Sequence, residues 1–83
     1  MSPIAPGFAA MKARKFRTLL ERELGYTVAS TKGSHRKLVS EGRPKLIFAW
    51  HDGDEIGAAM IRTILVRDVG LTLTEAKEVA RRG

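Results

Sequence analysis

Few residues in this chain have side chains that could carry chemistry, and two of them are histidines. His35 follows the dipeptide Gly33-Ser34 and stands among Lys32, Arg36 and Lys37. A phosphate arriving there meets positive charge together with an imidazole, a group that exchanges protons near neutral pH. His51 closes an apolar run and precedes Asp52, Gly53, Asp54 and Glu55. Those carboxylates can orient the imidazole, hold a hard cation or favour the N-terminus of a following helix, and the helix role is the one expected. A lone histidine is most often an ordinary strand-end residue; the Gly-Ser turn and the surrounding cations set His35 apart from that background.

The remaining inventory excludes more than it offers. There is no cysteine, hence no disulfide, thiolate nucleophile or thiolate metal site, which fits a reducing, cytoplasmic compartment. Walker, dinucleotide-binding and nucleophile-elbow motifs are missing, as are histidines at helical metal spacing, so neither a metal site nor a small-molecule cofactor is expected. The longest apolar run, Leu46 to Trp50, is far short of the roughly 20 residues of a membrane span. With 83 residues the chain has room for one small domain, whose site must be a surface patch or groove.

Charge points to a partner class. The net charge is +6, and it is unevenly spread: residues 12–24 carry +3, residues 32–45 carry +4 and residues 46–83 carry −1. A surface built for solubility mixes both signs, whereas a one-sided excess is the footprint of a polyanion binder. Lys32, Arg36, Lys37, Arg43 and Lys45 are therefore the expected nucleic-acid contacts.

These residues need elements to position them. Residues 1–10 are uncharged, contain Pro3, Pro6 and Gly7, and read as a flexible tail whose Ile4 and Phe8 are available for docking; the domain is expected over 11–83. From Lys12 to Leu24 the positions Phe16, Leu19, Leu20 and Leu24 make one helical stripe that Gly25 ends. Tyr26 to Lys32 is β-branched and predicts a strand. Gly33-Ser34 suits a tight hairpin with positive φ at the glycine, leading into a strand over His35 to Ser40. After Gly42 and Pro44, Leu46 to Trp50 predicts the third strand. A helix from about Ala58 to Val69 repeats the stripe with Ile61, Ile64, Leu65 and Val69, and Gly70 caps it. Thr72 and Glu75 form a capping box that opens a last helix to about Arg82. The order αβββαα predicts an α+β fold: a three-stranded antiparallel meander covered on one face by helices.

Register ties the elements to the chemistry. If the second hairpin pairs residues whose numbers sum to an even value such as 86, His35 lies opposite His51 and Leu38 opposite Phe48, which gathers Leu38, Leu46, Phe48 and Trp50 on the covered face and leaves both histidines on the other. Any odd sum mixes the two sets.

Lys32-Gly33-Ser34-His35, preceded by a helix ending in Leu24-Gly25-Tyr26, followed by a strand-end His51 before an acidic loop and then by Ile64, Leu65, Gly70 and Leu71, resembles the HicA toxins. These are small mRNA interferases of type II toxin-antitoxin systems. The resemblance runs from about Met11 to the last helix. It implies a fold like a double-stranded RNA-binding domain, RNA cleavage without a metal, and neutralisation by a HicB antitoxin. It assigns the catalytic histidine to His35 and the required turn glycine to Gly33.

Such cleavage fits the residues present. RNA brings its own nucleophile, the 2′-OH, so a proton acceptor and charge stabilisation suffice and DNA is resistant. His35 would move the proton, Lys37, Lys32 or Arg36 would offset phosphorane charge, and His51, a lysine or water would fill the second proton-transfer role. The alternative is a non-catalytic module binding structured RNA through the same basic face; a protein-binding domain is the third reading. An antitoxin covering the cations must be acidic or polar, with Trp50 or the stretch from Ile4 to Phe8 as an apolar anchor if exposed, although Trp50 suits the core.

Overall fold

The computed structural model describes residues 6–83. Helix α1 spans Ala13–Leu24, one residue shorter at its start than the stripe predicts, and buries Ala13, Phe16, Leu19, Leu20 and Leu24. Gly25, at φ +70°, turns the chain out of the helix. The next residue, Tyr26, is buried, and its hydroxyl donates to the Pro44 carbonyl at 2.8 Å. That bond staples the start of the sheet to the far end of the second hairpin, and burial pushes the phenol pKa up.

Three strands follow in meander order: β2 (Thr27–Lys32), β3 (His35–Val39) and β4 (Leu46–Phe48), after a two-residue strand β1 (Met11–Lys12) that precedes α1. Lys32 faces His35 across Gly33-Ser34, and a bulge between Val28 and Ser30 shifts the register of the first hairpin. In the second hairpin Arg36 faces Phe48, Lys37 faces Ile47 and Leu38 faces Leu46, so residue numbers sum to 84 rather than 86. The even parity holds, and Leu38, Leu46 and Phe48 are buried together as the pattern requires. The slip of two residues removes the expected pairing of His35 with His51. β4 ends at Phe48, and Trp50, expected to be a strand residue, leaves the ladder half-buried with its ring edge-on to Phe48 at 5.2 Å between centroids.

The sequence reading lacked a second, two-stranded sheet. β1 pairs antiparallel with β5 (Glu55–Ile56), Met11 opposite Ile56, which corrects the order αβββαα. This clamp joins the chain just before α1 to the chain just before α2, and Met11 and Ile56 are both buried in the core. The helix expected over Ala58 to Val69 begins as α2 (Ala58–Thr63) and widens into a π-helical stretch, Ile64–Asp68. There the Val69 N–H reaches the Ile64 carbonyl at 2.8 Å, five residues back. The apolar stripe survives, because Ile61, Ile64, Leu65 and Val69 are all buried, and Gly70 (φ +89°) turns the chain away. Helix α3 (Leu73–Arg81) opens with the capping box: the Glu75 N–H donates to Thr72 Oγ1 at 3.1 Å and the Thr72 N–H to Glu75 Oε1 at 2.9 Å.

Helices and sheet share one core, with Phe16 against Phe48 at 6.3 Å between ring centroids. Of the N-terminal docking residues, Phe8 packs against that core, whereas Ile4 and Pro3 lie outside the described residues.

Candidate functional site

The hairpin β2–β3 carries the histidine. Gly33 has φ +61° and no non-glycine residue has a positive φ among the described residues, the pattern of a two-residue turn with glycine first. A Cβ on Gly33 would meet nothing within 4 Å, so the constraint there is backbone conformation, not space. β2 is exposed along its whole length, so this hairpin overhangs the core, and His35 at its tip is exposed.

Register decides which cations accompany it. Directly opposed residues share a face, as do residues two apart on one strand. Lys32, opposite His35, and Lys37, two residues on, therefore stand with His35 on the sheet face turned away from the helices, along with Ser30 opposite Lys37. Arg36 stands on the other face with Leu38. Its Nη1 is buried, makes no hydrogen bond and lies 3.5 Å from Asp52 Oδ1, the same oxygen that Arg17 Nη1 holds at 2.9 Å. Arg36 thus ties the hairpin to α1 through Asp52 instead of joining Lys32, His35 and Lys37. Arg43 and Lys45 are exposed near the second turn, Arg43 donating its N–H to the Ser40 carbonyl at 3.1 Å and Lys45 preceding β4.

The acidic loop does different work from that expected. Helix α2 has no acidic residue in its first turn and Gly57 as its N-cap, so the carboxylates do not serve its N-terminus. The backbone carbonyls of the same loop serve the start of α1 instead. Lys12, the N-cap of α1, makes no side-chain cap; the Ala13 N–H donates to the Asp54 carbonyl at 2.7 Å and the Arg14 N–H to the Asp52 carbonyl at 3.3 Å. Asp54 Oδ2 accepts from the His51 N–H at 2.8 Å, and the Asp54 N–H donates to the His51 carbonyl at 3.0 Å. His51 is therefore an exposed residue of a capping loop. Among the described residues no group of three His, Asp or Glu side chains is placed to share a metal ion, and no helix is long and apolar enough to cross a membrane.

Sequence reasoning missed the pairing of Arg17 with Asp52, which are far apart in the chain with no motif to join them. It also missed Ser40, whose hydroxyl donates to the Leu24 carbonyl at 2.6 Å and satisfies a helix-end acceptor.

A small α+β protein whose three-stranded sheet turns a basic, histidine-bearing face to solvent is the class these observations define. A family model described as the HicA toxin of bacterial toxin-antitoxin systems matches residues 13–71, and the chain belongs to that family. HicA toxins are ribonucleases, and membership implies an antitoxin partner. No curated protein and no solved structure matches the chain.

Proposed function

We propose that this protein is an mRNA-cleaving toxin in which His35 is the catalytic base and Lys32 and Lys37 are the charge-stabilising groups. The observation that carries the reading is the shared face: an exposed histidine at a glycine-first turn, with a lysine opposite it and another two residues along the strand. RNA laid across this face brings its phosphates to the lysines and a 2′-OH to the imidazole. His35 accepts the 2′-OH proton, the 2′ oxygen attacks phosphorus, and the bond to the 5′ oxygen breaks, leaving a 2′,3′-cyclic phosphate and a 5′-OH end. The extra charge on the pentavalent phosphorus falls next to Lys32 and Lys37. The leaving oxygen takes its proton from water or an adjacent lysine; His51, outside the β3–β4 pairing, is left out of this step. No metal is assigned a role, since the nucleophile comes from the substrate.

Further parts of the reading are a domain spanning 11–83 with a fold like a double-stranded RNA-binding domain, action in the cytoplasm, and an antitoxin of the HicB kind that covers His35. Arg43 and Lys45 extend the phosphate-binding surface toward the second turn. The experiment is cleavage of end-labelled RNA with a chelator present, beside the same RNA carrying one 2′-deoxy substitution at the mapped cut. Loss of that cut alone supports the mechanism. Cleavage of the deoxy substrate, or dependence on added metal, overturns it.

A further inference from the structure

The sheet has a second feature that RNA cleavage does not use. The strand order β2-β3-β4 leaves the outer edge of β4 without a strand neighbour among the described residues. Beside it, between β4 and the helical segment of α2 and the π-helical stretch, runs a groove of about 600 Å³ lined by Ile47, Phe48, Trp50, Met60 and Ile64. Four large apolar side chains are exposed among the described residues, and two of them, Ile47 at 61% and Met60 at 45%, line this groove. The other two, Val28 and Leu73, lie on β2 and at the start of α3. An apolar recess beside a free strand edge is the geometry that accepts an extended peptide, with backbone pairing along the edge and side chains in the recess. Lys45, Arg67 and Asp68 flank it; Arg67 and Asp68 pair with each other at 3.0 Å, and Lys45, which has no ion-pair partner among the described residues, leaves the rim with a net positive charge.

We propose that this groove is the apolar anchor for an extended, acidic segment of the antitoxin, which lies along β4 with bulky side chains seated between Ile47 and Met60. Charge chooses the occupant. A second copy of this chain, with its net charge of +6, would bring more positive charge against Lys45, whereas an acidic segment meets a complementary one. Ile47 is also directly opposite Lys37, so a segment seated here leads onto the face that carries His35. This rests on the toxin reading above and adds to it an anchor outside the reacting groups: the groove grips the antitoxin, Lys32, His35 and Lys37 act on RNA, and Lys45 lies at the border of the two.

The test uses the full-length toxin, the antitoxin encoded beside it, and three variants at exposed apolar positions: Ile47→Glu, Met60→Glu and, as the control outside the groove, Leu73→Glu. Thermal melts establish that each is folded. Ile47→Glu and Met60→Glu are expected to weaken antitoxin binding by about 30-fold or more, as hot-spot residues do. RNA cleavage by Met60→Glu should stay near the wild-type rate, and Leu73→Glu should bind antitoxin normally. Wild-type affinity in both groove variants, or equal loss in Leu73→Glu, overturns the proposal. So does sedimentation showing that the toxin alone dimerises and that Ile47→Glu breaks the dimer. If the wild type fails to cut RNA while the antitoxin results come out as expected, the ribonuclease reading falls and the anchor stands.

Discussion

Two histidines flank the second hairpin in sequence, His35 opening β3 and His51 following β4, and their surroundings differ in kind. Around His51 the polar groups are engaged with one another: Asp54 holds the His51 N–H, the carbonyls of Asp52 and Asp54 cap α1, and the Asp52 carboxylate faces Arg17 and Arg36. At the tip of the first hairpin, Lys32, His35 and Lys37 have no side-chain hydrogen bond or ion pair among the described residues. The difference teaches where function is to be sought in a small domain. Polar groups that satisfy the fold are already spent, and those that face solvent together in one patch are available to a substrate.

The comparison breaks most easily at Gly33. A β-branched residue at φ +61° is strained by roughly 1–2 kcal/mol, so Gly33→Val should lower the unfolding free energy by about that much and cut RNA cleavage severely, because the turn sets the position of His35. Chemical denaturation and a cleavage assay on the folded fraction measure the two effects. The loop end should behave in the opposite way. Asp52→Ala removes the partner of two arginines and leaves the buried Nη1 of the part-exposed Arg36 without its ion pair, at a cost on the order of 1 kcal/mol given how far Asp52 is exposed. Cleavage by the folded variant should change little, and a large loss of rate at wild-type stability would erase the distinction between the two ends.

Smaller effects sharpen it. Lys32→Ala and Lys37→Ala should each reduce the salt dependence of RNA binding by about 0.7 in the log-log slope, whereas Arg36→Ala, on the opposite face, should leave that slope unchanged while lowering the melting temperature. Titration against salt distinguishes them. The smallest effect belongs to the capping box of α3, remote from both ends. Hydrogen bonds from the Thr72 N–H and then its hydroxyl hold the Glu75 carboxyl below its ordinary 4.5. A folded pKa below the unfolded one gives stability that is fully present above about 4.5 and is lost as pH falls through the folded value. Glu75→Gln should therefore melt below the wild type at pH 7 and converge with it in acid, with cleavage unaffected.

What was legible beforehand follows from how local each cause is. The stripe of α1, the left-handed Gly25, Gly33 and Gly70, and the Thr72–Glu75 box depend on residues a few positions apart, so pattern and chemistry read them directly. The parity of the β3–β4 pairing was also legible, because one slip would have put Leu38, Leu46 and Phe48 into water. Its absolute register was not. Trp50 and His51 are drawn out of the strand by a loop whose carbonyls cap α1, and that capping joins residues some forty positions apart. β1 and β5 are two residues each and carry no periodicity to detect. Arg36 is instructive, since the parity that groups His35 with Lys37 also places Arg36 beside Leu38. A charge count along the chain ignores the alternation of faces and so grouped Arg36 with Lys32 and Lys37, from which the strand pairing separates it.

The claim that the hairpin tip carries the chemistry meets its most direct test in single-turnover cleavage of one labelled RNA by His35→Ala and by His51→Ala, at saturating protein and with matched circular dichroism. General acid-base catalysis contributes about 10²–10⁴ in rate, so His35→Ala should lose that much while His51→Ala stays near wild type. Cleavage at the wild-type rate by folded His35→Ala, or an equal loss in His51→Ala, would contradict the assignment.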